Sequence, residues 1–255
     1  MLTNPAETAR AVSNWIRDYF DQNCPKGRAV VGISGGKDSA VTAALCARAL
    51  GKDRVAGVLM PDGAQKDIAD SEAVVRLLGI PSVTINIAGM HQAFRDEIAA
   101  NSGFAALTGR ESLSRDSEIN FPARLRMATL YAVAQSLPGG ALVINTCNKS
   151  EDWVGYSTKF GDSAGDLSPL AVFTVTEVRQ LGSALGLPDS IVRKTPSDGL
   201  SGLSDEAKLG FTYEQLDRLI ETGECGDPAL KAKIDRMHAA NLHKLQPMPH
   251  FPSKD

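Results

Sequence analysis

Residues 28–39, Arg28-Ala29-Val30-Val31-Gly32-Ile33-Ser34-Gly35-Gly36-Lys37-Asp38-Ser39, constrain this chain more than any other stretch. Ala29, Val30, Val31 and Ile33 form a short apolar run, the pattern of a strand covered on both faces. Ser34, Gly35 and Gly36 turn the chain. Ser39 to Leu50 are mostly good helix formers, and Gly51 stands where a helix-ending glycine belongs. A strand, a glycine turn and a helix start in that order aim free backbone N–H groups at an anion.

Spacing excludes two common anion loops. Aligning Gly36-Lys37 with the Gly-Lys of G-x-x-x-x-G-K-[ST] puts Val31 at the first glycine and Asp38 at the magnesium hydroxyl. Gly32, Gly35 and Gly36 do not match G-x-G-x-x-G either. What remains is S-G-G-x-D-S after a strand. A carboxylate beside a phosphate nest makes sense when a cation lies between them, so Asp38 implies Mg²⁺. The plainer reading is a βα turn with a helix-capping Asp or Ser.

The 255 residues are enough for one α/β domain with a sizeable core, and one domain over 1–255 is the expectation. A net charge of −3 gives a nucleic-acid partner no electrostatic support. Cys24, Cys46, Cys147 and Cys225 are too scattered for a zinc knuckle or redox pair. Neither a signal peptide nor a membrane-length apolar run is read, so a cytoplasmic protein is expected.

Strands are predicted at 29–33, 55–60, 82–87 and 141–146, with helices at 67–78, 91–100 and 118–136 between them. Asn4-Pro5-Ala6-Glu7 opens a first helix, with Val12, Trp15, Ile16, Tyr19 and Phe20 supplying its apolar side. Residues 101–117 read as a loop or lid and 156–170 as irregular backbone. Thr174-x-x-Glu177 and Thr212-x-x-Gln215 read as capping boxes, and a last helix runs from 227 to 242. The alternation predicts a doubly wound parallel sheet with helices on both faces, binding ligands beyond the carboxyl ends of its strands. The turns at 32–39, 60–65 and 145–151 would share that edge.

The S-G-G-x-D-S loop resembles the pyrophosphate loop of the adenine-nucleotide alpha-hydrolase superfamily, whose members split ATP between its α- and β-phosphates. Four further blocks narrow the resemblance: Asn120-Phe-Pro-Ala-Arg-Leu-Arg-Met127; Thr146-Cys-Asn-Lys-Ser-Glu151; Gly155-Tyr-Ser-Thr-Lys-Phe-Gly-Asp162 with Asp166 and Pro169; and Lys194-Thr-Pro-Ser-Asp-Gly-Leu200. Their order and spacing resemble the ammonia-dependent NAD synthetases, single-domain enzymes without a glutaminase, over about residues 28–250.

That resemblance implies amidation of nicotinic acid adenine dinucleotide (deamido-NAD) by ammonia, with ATP as co-substrate and an acyl-adenylate intermediate. It implies that Gly32, Ile33, Ser34, Gly35, Gly36, Lys37, Asp38 and Ser39 hold the ATP phosphates, with Asp38, Ser34 and Ser39 closest to the chemistry. Thr146 and Ser197 would also contact ATP, and Gln65 would lie near the nucleotide. Asp38 and Glu151 would bind Mg²⁺. Arg124, Lys159, Asp166, His243 and Lys244 would hold the dinucleotide. The resemblance also implies a homodimer with small-molecule substrates and no nucleic acid or membrane partner.

Each assignment has a plainer alternative. Glu151 has the alternative of a helix-start acid, Arg124 and Arg126 that of a solvated helix face from which at most one, Arg124, reaches the substrate, and His243 that of a surface histidine. The sequence also departs from the family. Val175 stands where a lysine contacting ATP is usual, which leaves Lys37 or Lys149 to supply that charge. The acid usual in the fourth block is shifted, to Asp198. Other readings are a tRNA-modifying or nucleotide-forming ATP pyrophosphatase of the same superfamily, which Lys37 favours, and an inactive nucleotide-binding module.

Overall fold

The computed structural model describes residues 1–65, 68–194 and 204–251. Four parallel strands, β1 (Arg28–Gly32), β2 (Val55–Leu59), β3 (Ser82–Thr84) and β4 (Ala141–Ile144), lie in the order β3-β2-β1-β4. β1 pairs with both β2 and β4, so the winding reverses beside β1. That reversal opens a crevice at the carboxyl ends of β1 and β4, and the S-G-G-x-D-S loop leaves β1 there.

β1 is buried on both faces. Ala29, Val31 and Ile33 pack into one apolar cluster, while Val30 packs into a second with Val58 and Val143. Helices α1 (Pro5–Asn23), α2 (Lys37–Leu50) and α8 (Val175–Ala184) pack together on the first face. α6 (Arg115–Ser136) lies over β1 and β4 on the second, with α4 (Ala88–Ala100) against it. α2 buries Ala40, Val41, Ala43, Ala44, Leu45, Cys46 and Ala49. Its many alanines let neighbouring helices approach closely. α1 is narrower: Ala9, Ser13, Ile16 and Phe20 form its buried stripe. Trp15, expected on that stripe, is 46% exposed, because its position turns it off the buried face.

Several boundaries differ from the sequence reading. β3 ends at Thr84, yet Ile85 N–H donates to Leu59 O and Ile87 N–H to Pro61 O, so edge pairing outlasts the regular strand. Of the loop or lid expected at 101–117, only 109–114 is irregular; the rest is helix α5 (Ser102–Thr108), its Asn101 cap and the first turn of α6. Asn101 caps α5 by accepting from Phe104 N–H, and Gly109 ends it at φ 68°, where a side chain would be strained. Those caps were legible in the sequence; the run is too short and polar to show periodicity.

α3 (Ile68–Leu78) follows the loop after β2. The segment after β4 forms short α7 (Lys149–Val154), and Leu167 then bridges in parallel to Ile144. α9 (Asp189–Val192) and α10 (Asp205–Leu209) are short and were not expected. α8 and α11 (Tyr213–Thr222) each begin with the expected capping box, and α12 (Pro228–Asn241) closes the chain. α7, α10, α11 and α12 enclose a third cluster around Val154, Leu209, Tyr213, Leu216 and Ile234. Among the described residues, no helix is long and apolar enough to cross a membrane.

Leu45, wholly buried where α2 packs into the first cluster, tests this architecture. Leu45→Ala is expected to lower stability by about 2–5 kcal/mol in urea unfolding without shifting the apparent ATP affinity of the folded enzyme.

Candidate active site

The loop is held from within by its own hydroxyls. Ser34 N–H donates to Ser39 Oγ at 3.2 Å, the two serine oxygens lie 3.1 Å apart, and Ser39 Oγ–H donates to Gly36 O at 3.1 Å. Gly36 N–H in turn donates to Ser34 Oγ at 3.3 Å. Gly35 has φ 78°, and a Cβ there would come within 2.7 Å of Ser71 N and 2.8 Å of Asp70 Cβ. Only glycine fits so close to α3 in that conformation. Ile33 is 3% exposed, its side chain in the core and its N–H donating to Val58 O at 2.9 Å. Gly36 is the N-cap of α2 and brings no capping side chain. The positive end of the α2 dipole therefore faces the crevice, as an anion site requires.

Asp38 lies in the first turn of α2 and joins the two halves of the crevice. Its Oδ1 accepts from Asn148 Nδ2 at 2.9 Å, and its Oδ2 pairs with Lys37 Nζ at 2.7 Å. Asn148 also caps α7, accepting from Glu151 N–H at 3.0 Å. One asparagine thus connects the β1 loop to the helix carrying Glu151. Burial, then the Asp38 charge, pushes the Glu151 carboxyl up to about 8; Asp205 adds to this and Lys37 opposes it. Asp205 is buried and accepts from Tyr156 O–H at 3.1 Å.

Lys37 is 2% exposed, with its ammonium 5.8 Å from the centre of the Tyr213 ring. Burial works to lower its pKa, but Asp38 and Glu151 outweigh that and leave it raised. The ammonium lies beside the two carboxylates rather than at the loop's surface. Val175 and Tyr213 share one apolar cluster, so the buried Lys37 cation lies near the region where position 175 carries no charge.

Asp38 and Glu151 fit a hard divalent cation. Mg²⁺ commonly takes one or two carboxylates and completes its shell with substrate phosphates and water. Two acids close enough for one to raise the other's pKa despite a buried lysine form a site short of positive charge. Among the described residues no larger group of metal-ligating side chains occurs.

The residues expected at the dinucleotide form a second group. Arg124 Nε donates to Lys159 O at 3.3 Å, Lys159 Nζ to His243 O at 2.8 Å, and Lys244 Nζ to Gly155 O at 2.6 Å and Ser157 O at 2.8 Å. Lys159 and Lys244, with Tyr131 and Phe160, line a cavity of about 290 Å³. Arg126 diverges from Arg124, and its Nε donates to Met60 O at 3.1 Å. Asp166 braces the sheet: its carboxylate accepts from Val143 N–H at 2.8 Å and from Tyr131 O–H at 3.2 Å. Burial, then Asp166, raises the Tyr131 phenol to about 12, so it stays a donor.

Thr146 lies in the turn after β4, close in sequence to Asn148, and Gln65 in the turn after β2. Ser197 and Asp198 lie outside the described residues. A larger cavity of about 780 Å³ opens between α1, α8 and α11, lined by both basic and acidic side chains, Arg179, Arg193 and Arg218 with Glu214, Asp217 and Glu221. Asn148, Tyr131 and Tyr213 were missed from the sequence. For Asn148 the signal was present, since Asn three residues before Glu is a helix-start pattern. The tyrosines carry no local signal.

The Glu151 pKa has a signed consequence. Its folded value of about 8 exceeds the model-peptide value of 4.5, so the metal-free native state holds the extra proton. That contribution to stability is complete below 4.5 and is lost as pH rises through about 8. In EDTA, Glu151→Gln is expected to unfold at higher urea than the wild type at pH 9, with the difference shrinking at pH 5. In calorimetry, wild-type Mg²⁺ affinity is expected to rise from pH 6 to pH 8.5, because binding must displace that proton.

The NAD synthase family model matches residues 8–251. The NH(3)-dependent NAD(+) synthetase of Methanosarcina mazei is 42% identical over 219 residues, covering 84% of this chain and 81% of that protein. An NMN synthetase from Francisella tularensis superposes with a TM-score of 0.84 at 32% identity, over 98% of this chain and 99% of that one. The NH3-dependent NAD synthetase of Campylobacter jejuni superposes with a TM-score of 0.78 at 27% identity, over 99% of this chain and 100% of that one. A parallel sheet reversing beside β1, an S-G-G-x-D-S loop at the reversal and these matches along nearly the whole chain have one meaning: the chain belongs to the NAD synthase family.

Proposed function

We propose that the protein converts nicotinic acid adenine dinucleotide to NAD, using ammonia as the nitrogen donor and ATP as co-substrate, with AMP and pyrophosphate as the other products. The observation that carries this is the tie from Asp38 through Asn148 to the helix bearing Glu151, at the strand reversal, in a chain of this family. Residues 1–255 act as one synthetase domain fed with free ammonia. The near-complete mutual coverage with the Francisella tularensis protein supports that extent. A cytoplasmic location accords with four cysteines that are all free thiols.

The nicotinate carboxylate attacks the α-phosphorus of ATP and pyrophosphate leaves. A carboxylate is ionised at neutral pH, so this step needs no general base. It needs two anions aligned and held. The amides at the start of α2 and the Ser34–Ser39 turn cradle the phosphates, with Thr146 and Ser197 completing the ATP contacts. Asp38 and Glu151 would hold Mg²⁺, which when bound would neutralise charge on the leaving group. Lys37, buried behind the loop, pairs with Asp38. Arg124, Lys159 and Lys244, with His243 and Asp166 alongside, orient the dinucleotide so that its carboxylate meets the α-phosphorus. Ammonia then attacks the acyl-adenylate carbonyl, the new nitrogen loses its proton, and AMP departs as the amide forms.

A second reading comes from the Francisella tularensis relative, an NMN synthetase. On that reading the acceptor is nicotinic acid mononucleotide and the chemistry is unchanged.

The active unit is a homodimer. α6 buries only Pro122, Thr129 and Ala134 of its 22 residues. Ile119 on α6 is 61% exposed, and Met90 and Phe94 on the adjoining α4 are 44% and 38% exposed. Apolar side chains gathered on two packed helices suit a second copy of the chain.

Incubation with ATP, Mg²⁺, ammonium and each acceptor in turn is expected to give NAD and AMP with the dinucleotide at the higher kcat/KM; a preference for the mononucleotide would favour the second reading. Asp38→Ala is expected to lower pyrophosphate release by on the order of 10²–10³-fold while circular dichroism stays unchanged. Ile119→Lys is expected to shift the light-scattering mass of the eluting protein from two chains to one.

A further inference from the structure

Glu151 stands on a helix of six residues, Lys149–Val154. A helix that short has little stability of its own and takes its orientation from what grips it. Asn148 grips its start. Ser150, the residue beside Glu151, makes a further side-chain attachment. It is wholly buried, its Oγ–H donates to Asp217 Oδ1, and its Oγ accepts from Val175 N–H at 3.0 Å. The second oxygen of Asp217 accepts from Thr176 N–H at 2.8 Å. Asp217, on α11, therefore ties α7 to the start of α8.

Capping alone does not account for this carboxylate. α8 has its own capping box, in which Thr174 Oγ1 accepts from Glu177 N–H and Glu177 returns a bond to Thr174 N–H at 3.0 Å. Asp217 is only 4% exposed. Burying an ionised carboxylate costs several kcal/mol unless its hydrogen bonds are complete. Here the Ser150 hydroxyl, the Thr176 amide and the positive end of the α8 dipole meet that need, so the carboxylate that anchors Ser150 of α7 is itself fixed to the start of α8.

We propose that Asp217 is a positioning residue for the metal site, acting through Ser150 to hold Glu151 facing Asp38. The proposal rests on the reading of Asp38 and Glu151 as the Mg²⁺ ligands. Asp217 touches neither metal nor substrate; it sets where a ligand points, as partners behind metal ligands do elsewhere.

The test is calorimetric titration of Mg²⁺ into the full chain saturated with a non-hydrolysable ATP analogue, with thermal unfolding in parallel. Ser150→Ala and Asp217→Asn are each expected to weaken Mg²⁺ binding by about 10–100-fold. The double variant is expected to be no weaker than the worse single one, because both act through one bond. Ser150→Thr, which keeps the hydroxyl, is expected to bind Mg²⁺ within a few-fold of wild type. A lower melting temperature with unchanged Mg²⁺ affinity in both single variants would overturn the proposal, and so would additive losses in the double variant. Should Asp217→Asn fail to fold, the Ser150 pair decides alone. Glu151→Gln, titrated alongside, separates the two claims: if it binds Mg²⁺ like wild type, the ligand assignment fails; if it loses Mg²⁺ while Ser150→Ala and Asp217→Asn keep it, only the positioning role fails.

Discussion

The site depends on one carboxylate held from two directions. Asp38 Oδ2 takes the buried Lys37 ammonium, and Asp38 Oδ1 takes Asn148. The first bond stays within the β1 loop; the second crosses the strand reversal to the segment after β4. Parallel strands joined by crossovers bring their carboxyl ends to one edge, but they do not lock the loops there to each other. The Asp38–Asn148 bond supplies that lock. Because Asn148 is also the cap of α7, the lock sets the position of Glu151 as well.

Charge explains why the site is built this way. Two acids in a partly desolvated crevice repel, and one of them takes up a proton unless positive charge is near. A buried lysine offsets part of that repulsion, and its raised pKa records how strongly both acids act on it. The remaining deficit is what a divalent cation would fill. The second group of residues is held differently: Lys159 and Lys244 donate to backbone carbonyls beside the smaller cavity, and Asp162 is the acid whose charge acts on Lys244.

Much of this was legible before the fold was known. The S-G-G-x-D-S spacing, the strand preceding it, the alternation of strands and helices and the two capping boxes are local patterns of fixed period or offset, and the structure carries each of them. The short elements were harder to read. α7, α9 and α10 span six, four and five residues, too few for apolar periodicity to register. α5 spans seven residues, and its two large apolar side chains, Phe104 and Leu107, are too few to show a helical period. Trp15 was placed on the wrong side of α1 because an apolar residue was assumed to point inward. Among the site residues, Asp166 was legible through the resemblance as a dinucleotide contact, but not as a brace on β4.

By itself the sequence determined the class of fold, the anion loop and the acid within it, because all three are written in contiguous residues whose backbone geometry follows from glycine, β-branching and helix propensity. The tertiary structure alone decided which distant side chains meet. Lys37 over Tyr213, Asn148 on Asp38, and Asp217 on Ser150 are pairs far apart in the chain or, for Lys37, a choice between solvent and core. Such contacts depend on how the helices pack around the sheet, and packing is settled by the whole set of buried surfaces at once rather than by any stretch of chain.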